Sequence, residues 1–262
     1  MSRIIAVVNQ KGGVGKTTTA INLGAYLAWL GNFVLLVDAD PQANATSGLG
    51  IDQKTLTQSI YHALADAHSL RSIIQSTNHQ GYKIAPASAE LAGARVELVE
   101  MENREYRLRQ ALLEVRNDYD YVIIDCPPSL DLLTINGLVA ADDILIPVQA
   151  EYLALEGLGQ LLSTISLIKE NLSPQLNVLG AVLTMYDKRN RLAQQVYNEL
   201  HQHFPFHVFE TIVPRNIRLT ESPSYGQSIL AYDPVSKGAK AYESLAREII
   251  TQQNNLNNSN SF

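Results

Sequence analysis

Apolar residues in this chain occur in two arrangements, short uninterrupted runs and longer stretches with apolar positions three or four residues apart. Uninterrupted runs are typical of strands buried on both faces of a parallel sheet, and the wider spacing is typical of helices. The two arrangements alternate along the chain, which predicts right-handed strand–helix–strand units. The runs predict strands at 4–8, 33–40, 81–85, 121–125, 144–148, 178–185 and 208–213.

The spaced stretches predict the helices that connect these strands. They cover 17–30, 55–75, 88–117 (one or two helices), 155–171, 190–203 and 234–253. We therefore expect an α/β fold with a mostly parallel, twisted sheet and helices on both faces. No internal repeat or long linker divides the chain, so residues 1–253 are expected to form one domain. The asparagine-rich residues 254–262 are expected to form a disordered polar tail.

The composition is consistent with one cytoplasmic domain. A chain of 262 residues with 46% hydrophobic content is long enough to bury a sizeable core. No apolar run reaches the roughly 18 residues needed to cross a bilayer, and no signal segment precedes the first predicted strand. The one cysteine cannot form an internal disulfide, and the six histidines show no metal-ligand spacing.

A glycine-rich loop lies between the first predicted strand and the first predicted helix. Its sequence from Gln10 to Thr18 is QKGGVGKTT. Glycines allow several backbone N–H groups to point at one phosphate, and a helix N-terminus adds a favourable dipole. We expect Lys16 on the β- and γ-phosphates of a nucleotide and the Thr17 hydroxyl on Mg²⁺. Gln10 replaces the first glycine of the strict phosphate-loop pattern, and Lys11 follows it.

Two of the predicted strands end in carboxylates. Asp125 ends the strand at 121–125, and Asp38 and Asp40 end the strand at 33–40. Ligands bind at the carboxyl ends of parallel strands, so these side chains are expected near the phosphate loop. Asp125 fits the carboxylate that binds Mg²⁺ through a water molecule in nucleotide hydrolases. Asp38 is a further candidate for organising Mg²⁺.

Four segments of the chain together resemble the ParA family of P-loop ATPases with a deviant Walker A motif. Within that family the resemblance is greatest to the short chromosomal Soj type, and it extends from about residue 2 to about residue 250. The segments are KGGVGKTT at 11–18, DADPQAN at 38–44, DCPP at 125–128 and VPRN at 213–216.

The resemblance implies which residues bind and hydrolyse ATP. Lys11, Lys16 and Asp40 are the implied catalytic residues, with Asp40 positioning the attacking water; a turn or helix-cap residue before Pro41 is the alternative. Pro214 and Asn216 match the segment that contacts adenine, and Met185 is a weaker candidate beside it. ATP with Mg²⁺ is expected to contact the loop residues Lys11, Gly12, Gly13, Val14, Gly15, Lys16, Thr17 and Thr18.

Lys11 has a separate role in this family. The matching lysine reaches the phosphates bound by the partner subunit, so that two subunits enclose two ATP molecules. The resemblance therefore implies a homodimer that ATP assembles and hydrolysis dissolves. Gly12 is expected where the two loops approach most closely, although a positive φ in the turn would also explain a glycine there.

DNA is a second expected partner. The formal net charge of −6 is unfavourable, but local phosphate contacts and counterion release determine DNA affinity. In Soj-like proteins, arginines that match Arg189 and Arg218 are associated with nonspecific binding of double-stranded DNA; ordinary solvated surface charges are the alternative.

The resemblance also implies a protein partner and a cellular role. No arginine finger is evident, so hydrolysis is expected to be slow until a ParB-type centromere-binding protein stimulates it. The expected role is chromosome or plasmid partitioning by a cytoplasmic, nucleoid-associated ATPase.

Two alternatives remain open. A MinD-like membrane-associated ATPase that places the division site would be expected to end in a basic amphipathic helix, whereas 254–262 has neither lysines nor an apolar stripe. A related bacterial tyrosine kinase would carry a C-terminal tyrosine cluster, whereas no tyrosine follows Tyr242. Membrane binding is therefore not expected.

Overall fold

The structure is a computed structural model that describes residues 2–151 and 154–259. In this part of the chain, eight strands form one sheet. They are β1 (Arg3–Val7), β2 (Val34–Asp38), β3 (Gln75–Ser76), β4 (Tyr82–Ala85), β5 (Tyr121–Asp125), β6 (Asp143–Gln149), β7 (Asn177–Tyr186) and β8 (Val208–Pro214).

The strand order in the sheet is β3-β4-β2-β5-β1-β6-β7-β8. Every neighbouring pair is parallel except β3 and β4, which are antiparallel. The central position of β1 places the loop that follows it between the carboxyl ends of β5 and β6. The predicted fold class, an α/β domain with a mostly parallel sheet, is confirmed.

Twelve helices are present among the described residues, with short 3-10 turns between some of them. The helices are α1 (Lys16–Trp29), α2 (Asn44–Gly48), α3 (Ile60–Leu64), α4 (Leu70–Ile73), α5 (Leu91–Glu97), α6 (Arg107–Leu113), α7 (Leu132–Ala140), α8 (Ala154–Asn171), α9 (Arg191–His203), α10 (Ile217–Glu221), α11 (Ile229–Tyr232) and α12 (Lys237–Ser259).

Helices cover both faces of the sheet because alternate residues of each strand point to opposite sides. In β1, Ile4 and Ala6 join a core that also includes residues of α3, α5, α6, α7 and α8. Ile5 and Val7 join a second core on the other side, which includes residues of α1 and α12. These two cores explain why the strands are continuous apolar runs.

The sequence-based expectation missed the helices α2, α7, α10 and α11 and the short strand β3, and two predicted helices differ in their extent. Residues 55–75 were predicted to be helical throughout, but α3 and α4 are short and Asp66 between them has φ 57°. Left-handed backbone ends a helix, and hydrophobic spacing does not reveal it. The last helix was predicted to end at 253 and to be followed by a disordered tail at 254–262, but α12 continues to Ser259, and 260–262 lie outside the described residues. Asparagine is only a modest helix former, yet no glycine or proline stops the helix there.

None of the helices in 2–151 and 154–259 combines the length and apolar character that a bilayer crossing requires.

Candidate nucleotide-binding site

The glycine-rich loop connects β1 to α1 at the carboxyl edge of the sheet. Gly13 and Gly15 have φ values of 74° and 88°, in the left-handed region that favours glycine. Gly12 does not, so the expectation that a positive φ explains Gly12 is wrong. A Cβ atom added to Gly12 would meet no described atom within 4 Å. Within a single chain, neither space nor backbone conformation requires a glycine at this position.

Side chains outside the loop hold it in place. The Thr184 hydroxyl at the end of β7 donates to the Val14 carbonyl at 2.8 Å. Asn9 donates to the Pro147 carbonyl at 2.8 Å and accepts from the Lys11 N–H at 3.0 Å. Because the Val14 side chain is buried, only its backbone can face a nucleotide. The loop is therefore fixed from both sides before any ligand binds.

The two lysines of the loop have different surroundings. Lys16 is buried, and its Nζ donates to the Lys11 carbonyl at 3.0 Å. Burial lowers the pKa of Lys16, and the charges of Asp125 and Asp40 act in the opposite direction. The half-exposed Lys11 Nζ instead lies 3.1 Å from Glu151 Oε2. In this structure the Lys11 ammonium thus pairs with Glu151, a residue outside the phosphate loop.

Asp38 and Asp125 end the adjacent strands β2 and β5 and are partners in the strand register. Asp38 accepts hydrogen bonds from the Thr46 N–H at 2.8 Å, the Thr46 hydroxyl at 2.7 Å and the Asp40 N–H at 3.2 Å. Burial raises the pKa of Asp38 to about 6. With its oxygens used in this way, Asp38 holds the segment from Asp40 to Thr46 against the sheet.

Asp125 is fully buried, and neither of its carboxylate oxygens accepts a hydrogen bond from a described residue. Burial and the charge of Asp38 raise its pKa well above the usual range, while the nearby Thr17 hydroxyl and Lys16 ammonium act in the opposite direction. An ionised carboxylate in such a place is costly unless a cation or an ordered water compensates it. The residues present therefore fit a Mg²⁺ ion with its water shell.

Asp40 lines the cavity together with the loop residues and is 7% exposed. Its Oδ1 accepts from the Gln42 N–H at 2.9 Å, so Asp40 does shape a turn. It does not cap α2, whose N-cap residue is Ala43. The turn fixes the Asp40 carboxylate at the cavity wall, which is compatible with the predicted catalytic role.

A cavity of about 550 Å³ brings most of the predicted site residues together. The phosphate-loop side and the segment after β8 form opposite walls. Lys11 and Val14 do not line the cavity, and Asp125 lies beneath it. The lining residues are Gly12, Gly13, Gly15, Lys16, Thr17, Thr18, Asp40, Gln42, Asn44, Pro128, Thr184, Met185, Val213, Pro214, Arg215, Asn216, Leu219, Thr220, Pro223 and Tyr242.

The wall opposite the phosphate loop is mainly apolar and begins where β8 ends. Pro214 and Asn216 lie there, as predicted for an adenine-contacting segment. Asn216 Oδ1 accepts from the Arg218 N–H at 2.8 Å and thereby caps α10. Met185 also lines the cavity and has φ 52°, an unusual conformation for a residue with a side chain. Its contact with adenine stays a prediction.

The segment that follows Asp40 and the wall opposite the phosphate loop touch each other through glycines. Gly50 has φ 82° and Gly226 has φ 63°. A Cβ atom added to Gly226 would lie 2.6 Å from the Gly50 Cα, which is closer than van der Waals contact allows. Only glycine at 226 permits this backbone-to-backbone approach.

The two arginines predicted to contact DNA lie on the surface, outside the cavity. Arg189 pairs with Asp187 through Nε at 3.0 Å and Nη2 at 2.8 Å, and this pairing lowers the pKa of Asp187 to about 2. Arg218 pairs with Glu221 at 2.9 Å and lies 3.4 Å from Asp233. Both guanidinium groups are thus partly neutralised by neighbouring carboxylates.

Several residues of the site were not identified from the sequence. Thr184 and Tyr242 line the cavity, and Glu151 holds Lys11. Thr184 is a buried polar residue two positions before the end of β7, so a polar side chain near a strand end was a signal for it. Tyr242 and Glu151 come from distant parts of the chain, and no local pattern marks them.

The sequence of this chain is similar to those of several known proteins. Residues 2–178 match the AAA_31 family, described as an AAA domain. The chain is 53% identical over 249 residues to the sporulation initiation inhibitor protein Soj of Bacillus subtilis (strain 168), covering 95% of this chain and 98% of that protein. It is also 53% identical over 250 residues to the chromosome partitioning protein ParA of Myxococcus xanthus (strain DK1622), covering 95% and 88%.

A solved structure is similar over nearly the same length. It is the cobyrinic acid a,c-diamide synthase from Mycobacterium smegmatis with bound ADP and magnesium. The two chains superpose with a TM-score of 0.84 at 40% identity, over 94% of this chain and 93% of the other.

Proposed function

The chain belongs to the ParA/Soj family of chromosome-partitioning P-loop ATPases, and from that premise we propose that it binds and hydrolyses ATP with Mg²⁺ in the cavity described above. The observation that carries the proposal is the buried, unpartnered carboxylate of Asp125 beneath a glycine-lined loop and beside Lys16. The Mg²⁺ ion that accompanies a nucleotide would supply positive charge beside this carboxylate. The related M. smegmatis protein was solved with ADP and magnesium, which supports the assignment.

Each loop residue has a defined task in this proposal. The Thr17 hydroxyl holds Mg²⁺ directly and Asp125 holds it through water, and the ion offsets charge on the β- and γ-phosphates. Lys16 exchanges its bond to the Lys11 carbonyl for a phosphate oxygen. The backbone N–H groups from Gly13 to Thr18 surround the phosphates.

Asp40 is the residue we assign to the attacking water. Its carboxylate lies at the cavity wall and is held by the Gln42 N–H. A carboxylate fixed in this way orients a water molecule for in-line attack on the γ-phosphate and accepts a proton from it. Hydrolysis stays slow because no arginine of this chain lines the cavity on the phosphate side, among the described residues.

Dimerisation in this proposal depends on Lys11 reaching the nucleotide of a second copy. To do so, Lys11 leaves Glu151, and the cost is small because both side chains are substantially exposed. Two copies then enclose two ATP molecules, with the Gly12 positions close together. ATP favours this dimer through contacts to the γ-phosphate that ADP does not make.

The ATP-bound dimer is proposed to bind DNA without sequence preference through Arg189 and Arg218. Each exchanges a carboxylate partner on the protein surface for a DNA phosphate. A dimer doubles the number of such contacts and steepens the salt dependence of binding. A ParB-type partner stimulates hydrolysis and releases the dimer, and this cycle serves the partitioning of a chromosome or plasmid.

The test is a DNA-binding titration of the purified protein with ATP, with ADP and without nucleotide, at two salt concentrations. We expect DNA binding only with ATP and a strong loss of affinity at the higher salt concentration. DNA binding that is independent of nucleotide would contradict the switch. Co-sedimentation with liposomes in ATP, without DNA binding, would favour the MinD-like alternative instead.

A further inference from the structure

Asn22 lies in the second turn of α1, one turn after Thr18. It is 1% exposed, and both ends of its amide are used. Nδ2 donates to the Thr18 carbonyl at 2.8 Å, and Oδ1 accepts from the Ile229 N–H at 2.7 Å. A carbonyl only accepts and an N–H only donates, so the two partners fix the orientation of the amide.

The two partners of Asn22 belong to opposite sides of the cavity. Thr18 lines it on the phosphate-loop side. Ile229 does not line the cavity itself, but it begins α11, which follows the stretch 213–223 of the opposite wall after five residues. A single buried side chain therefore links the start of α1, beside the phosphate-loop wall, to the start of α11, which lies 207 residues later in sequence and beyond the opposite wall.

A second buried contact lies beside the first. The hydroxyls of Thr19 and Tyr242 are 3.1 Å apart, and both residues are buried. Tyr242 lines the cavity, whereas Thr19 and Asn22 do not. The start of α1 is thus tied at two neighbouring points to the C-terminal part of the chain.

We propose that Asn22 is a positioning residue that sets the separation between the phosphate-binding and base-binding walls of the nucleotide site. The inference rests on the proposed binding of ATP in this cavity. Asn22 acts through Thr18 and Ile229 and touches no ligand itself. A preformed separation lets base and triphosphate bind together without the cost of ordering one wall against the other.

This role predicts a defect that depends on the ligand. A nucleotide spans both walls, so its affinity depends on their separation. Inorganic tripolyphosphate occupies the phosphate loop alone, and its affinity does not. A purely structural role of Asn22 would weaken both ligands equally, because it would disturb the loop itself.

Asn136 provides a matched control within the same chain. It is also 1% exposed, and its Nδ2 donates to the carbonyl one turn earlier, Leu132, at 2.9 Å and in addition to the Arg104 carbonyl at 2.7 Å. Its Oδ1 accepts from a distant backbone N–H, that of Leu108, at 3.1 Å. Asn136 lies on α7 and does not line the cavity. The same substitution there removes a similar buried amide without touching the nucleotide site.

The experiment compares wild type, Asn22→Ser, Asn22→Ala and Asn136→Ser by calorimetric titration with a non-hydrolysable ATP analogue and with inorganic tripolyphosphate, both with Mg²⁺. Serine at 22 can still donate a hydrogen bond to the Thr18 carbonyl but is too short to accept one from the Ile229 N–H. This variant therefore keeps the contact within α1 and loses the contact to α11. For Asn22→Ser we expect about tenfold weaker analogue binding and less than about twofold change for tripolyphosphate. Asn136→Ser is expected to match wild type for both ligands.

Three outcomes overturn the inference. They are unchanged analogue affinity in Asn22→Ser, an equal loss for both ligands, and the same loss in Asn136→Ser. If Asn22→Ala fails to fold, Asn22→Ser still decides. A wild-type protein that binds neither ligand contradicts the proposed function itself, which keeps the two failures distinguishable.

Discussion

The carboxylate at the floor of the nucleotide cavity and the two surface arginines are all charged groups, but they differ in their exposure and in their local partners. At the floor, Asp125 is buried and neither of its carboxylate oxygens accepts a hydrogen bond from a described residue, so the nearby Thr17 hydroxyl and Lys16 ammonium offset its charge only in part. On the surface, Arg189 and Arg218 are exposed and already paired with carboxylates. The floor therefore favours a cation before any partner is considered. The arginines exchange one set of anions for another, and the gain depends on salt and on the number of contacts.

The largest effect is expected from removing the carboxylate at the cavity wall. Asp40→Ala should lower the rate of ATP hydrolysis at least about 100-fold, because the attacking water loses its base. The ATP-dependent dimer and its DNA binding should persist, since neither uses this carboxylate. Phosphate release and sedimentation with ATP measure the two properties. A folded variant that no longer dimerises with ATP would mean that Asp40 serves binding rather than hydrolysis.

Gly12→Val should separate ATP binding by the single chain from ATP-dependent dimerisation. The single chain has open space at this position, so ATP should still bind to the monomer. The opposing loop of a second copy should clash and weaken the dimer by about 30-fold or more in Kd. Analytical ultracentrifugation with a non-hydrolysable ATP analogue checks this. Gly159→Val, at another open position on the helix α8, is the control and should dimerise normally. An equally stable dimer for Gly12→Val contradicts the close approach of the loops.

Arg218→Glu tests whether the surface arginines contact DNA. Reversing this charge should weaken DNA binding about tenfold at low salt, because phosphate contacts are lost in both copies of the dimer. Dimerisation with ATP should not change. Arg71→Glu is the matched control, since Arg71 is similarly exposed and also paired, with Asp118 at 2.6 Å. Equal losses of DNA affinity in the two variants would show that the effect comes from the overall net charge and not from a contact made by Arg218.

The smallest effect concerns stability without nucleotide. Asp125→Asn should raise the free energy of unfolding at pH 8 by about 1 kcal/mol, because it removes a buried charge that lacks a partner. The raised pKa of wild-type Asp125 means that the native state takes up this proton at higher pH than the unfolded chain does. The advantage of the variant should therefore shrink as pH falls through the raised pKa toward the ordinary carboxyl range.

Urea unfolding of wild type and Asp125→Asn at pH 5 and pH 8 measures this difference. The variant should also lose its stabilisation by ATP and Mg²⁺, which provides a second readout. A variant that is less stable than wild type at pH 8 would show that neighbouring groups already compensate the charge of the Asp125 carboxylate.

The sequence predicted the parts of this molecule that are encoded locally. Uninterrupted apolar runs identified the buried strands, and the loop from Gln10 to Thr18 identified the cavity. The breaks within 55–75 escaped prediction because the left-handed residue Asp66 leaves the apolar spacing intact. Tyr242 and Glu151 escaped because chain topology, rather than local pattern, brings them to the site. Gly12 was recognised as special, but the positive φ values belong to Gly13 and Gly15.

The contact between Gly50 and Gly226 has a consequence for the divergence and engineering of this site. The two backbones are so close that no side chain fits between them. A base-binding segment transplanted from another protein would therefore have to bring along its own counterpart of the turn after α2. Substitutions that alter nucleotide preference and substitutions near the attacking water are therefore expected to occur together in related proteins.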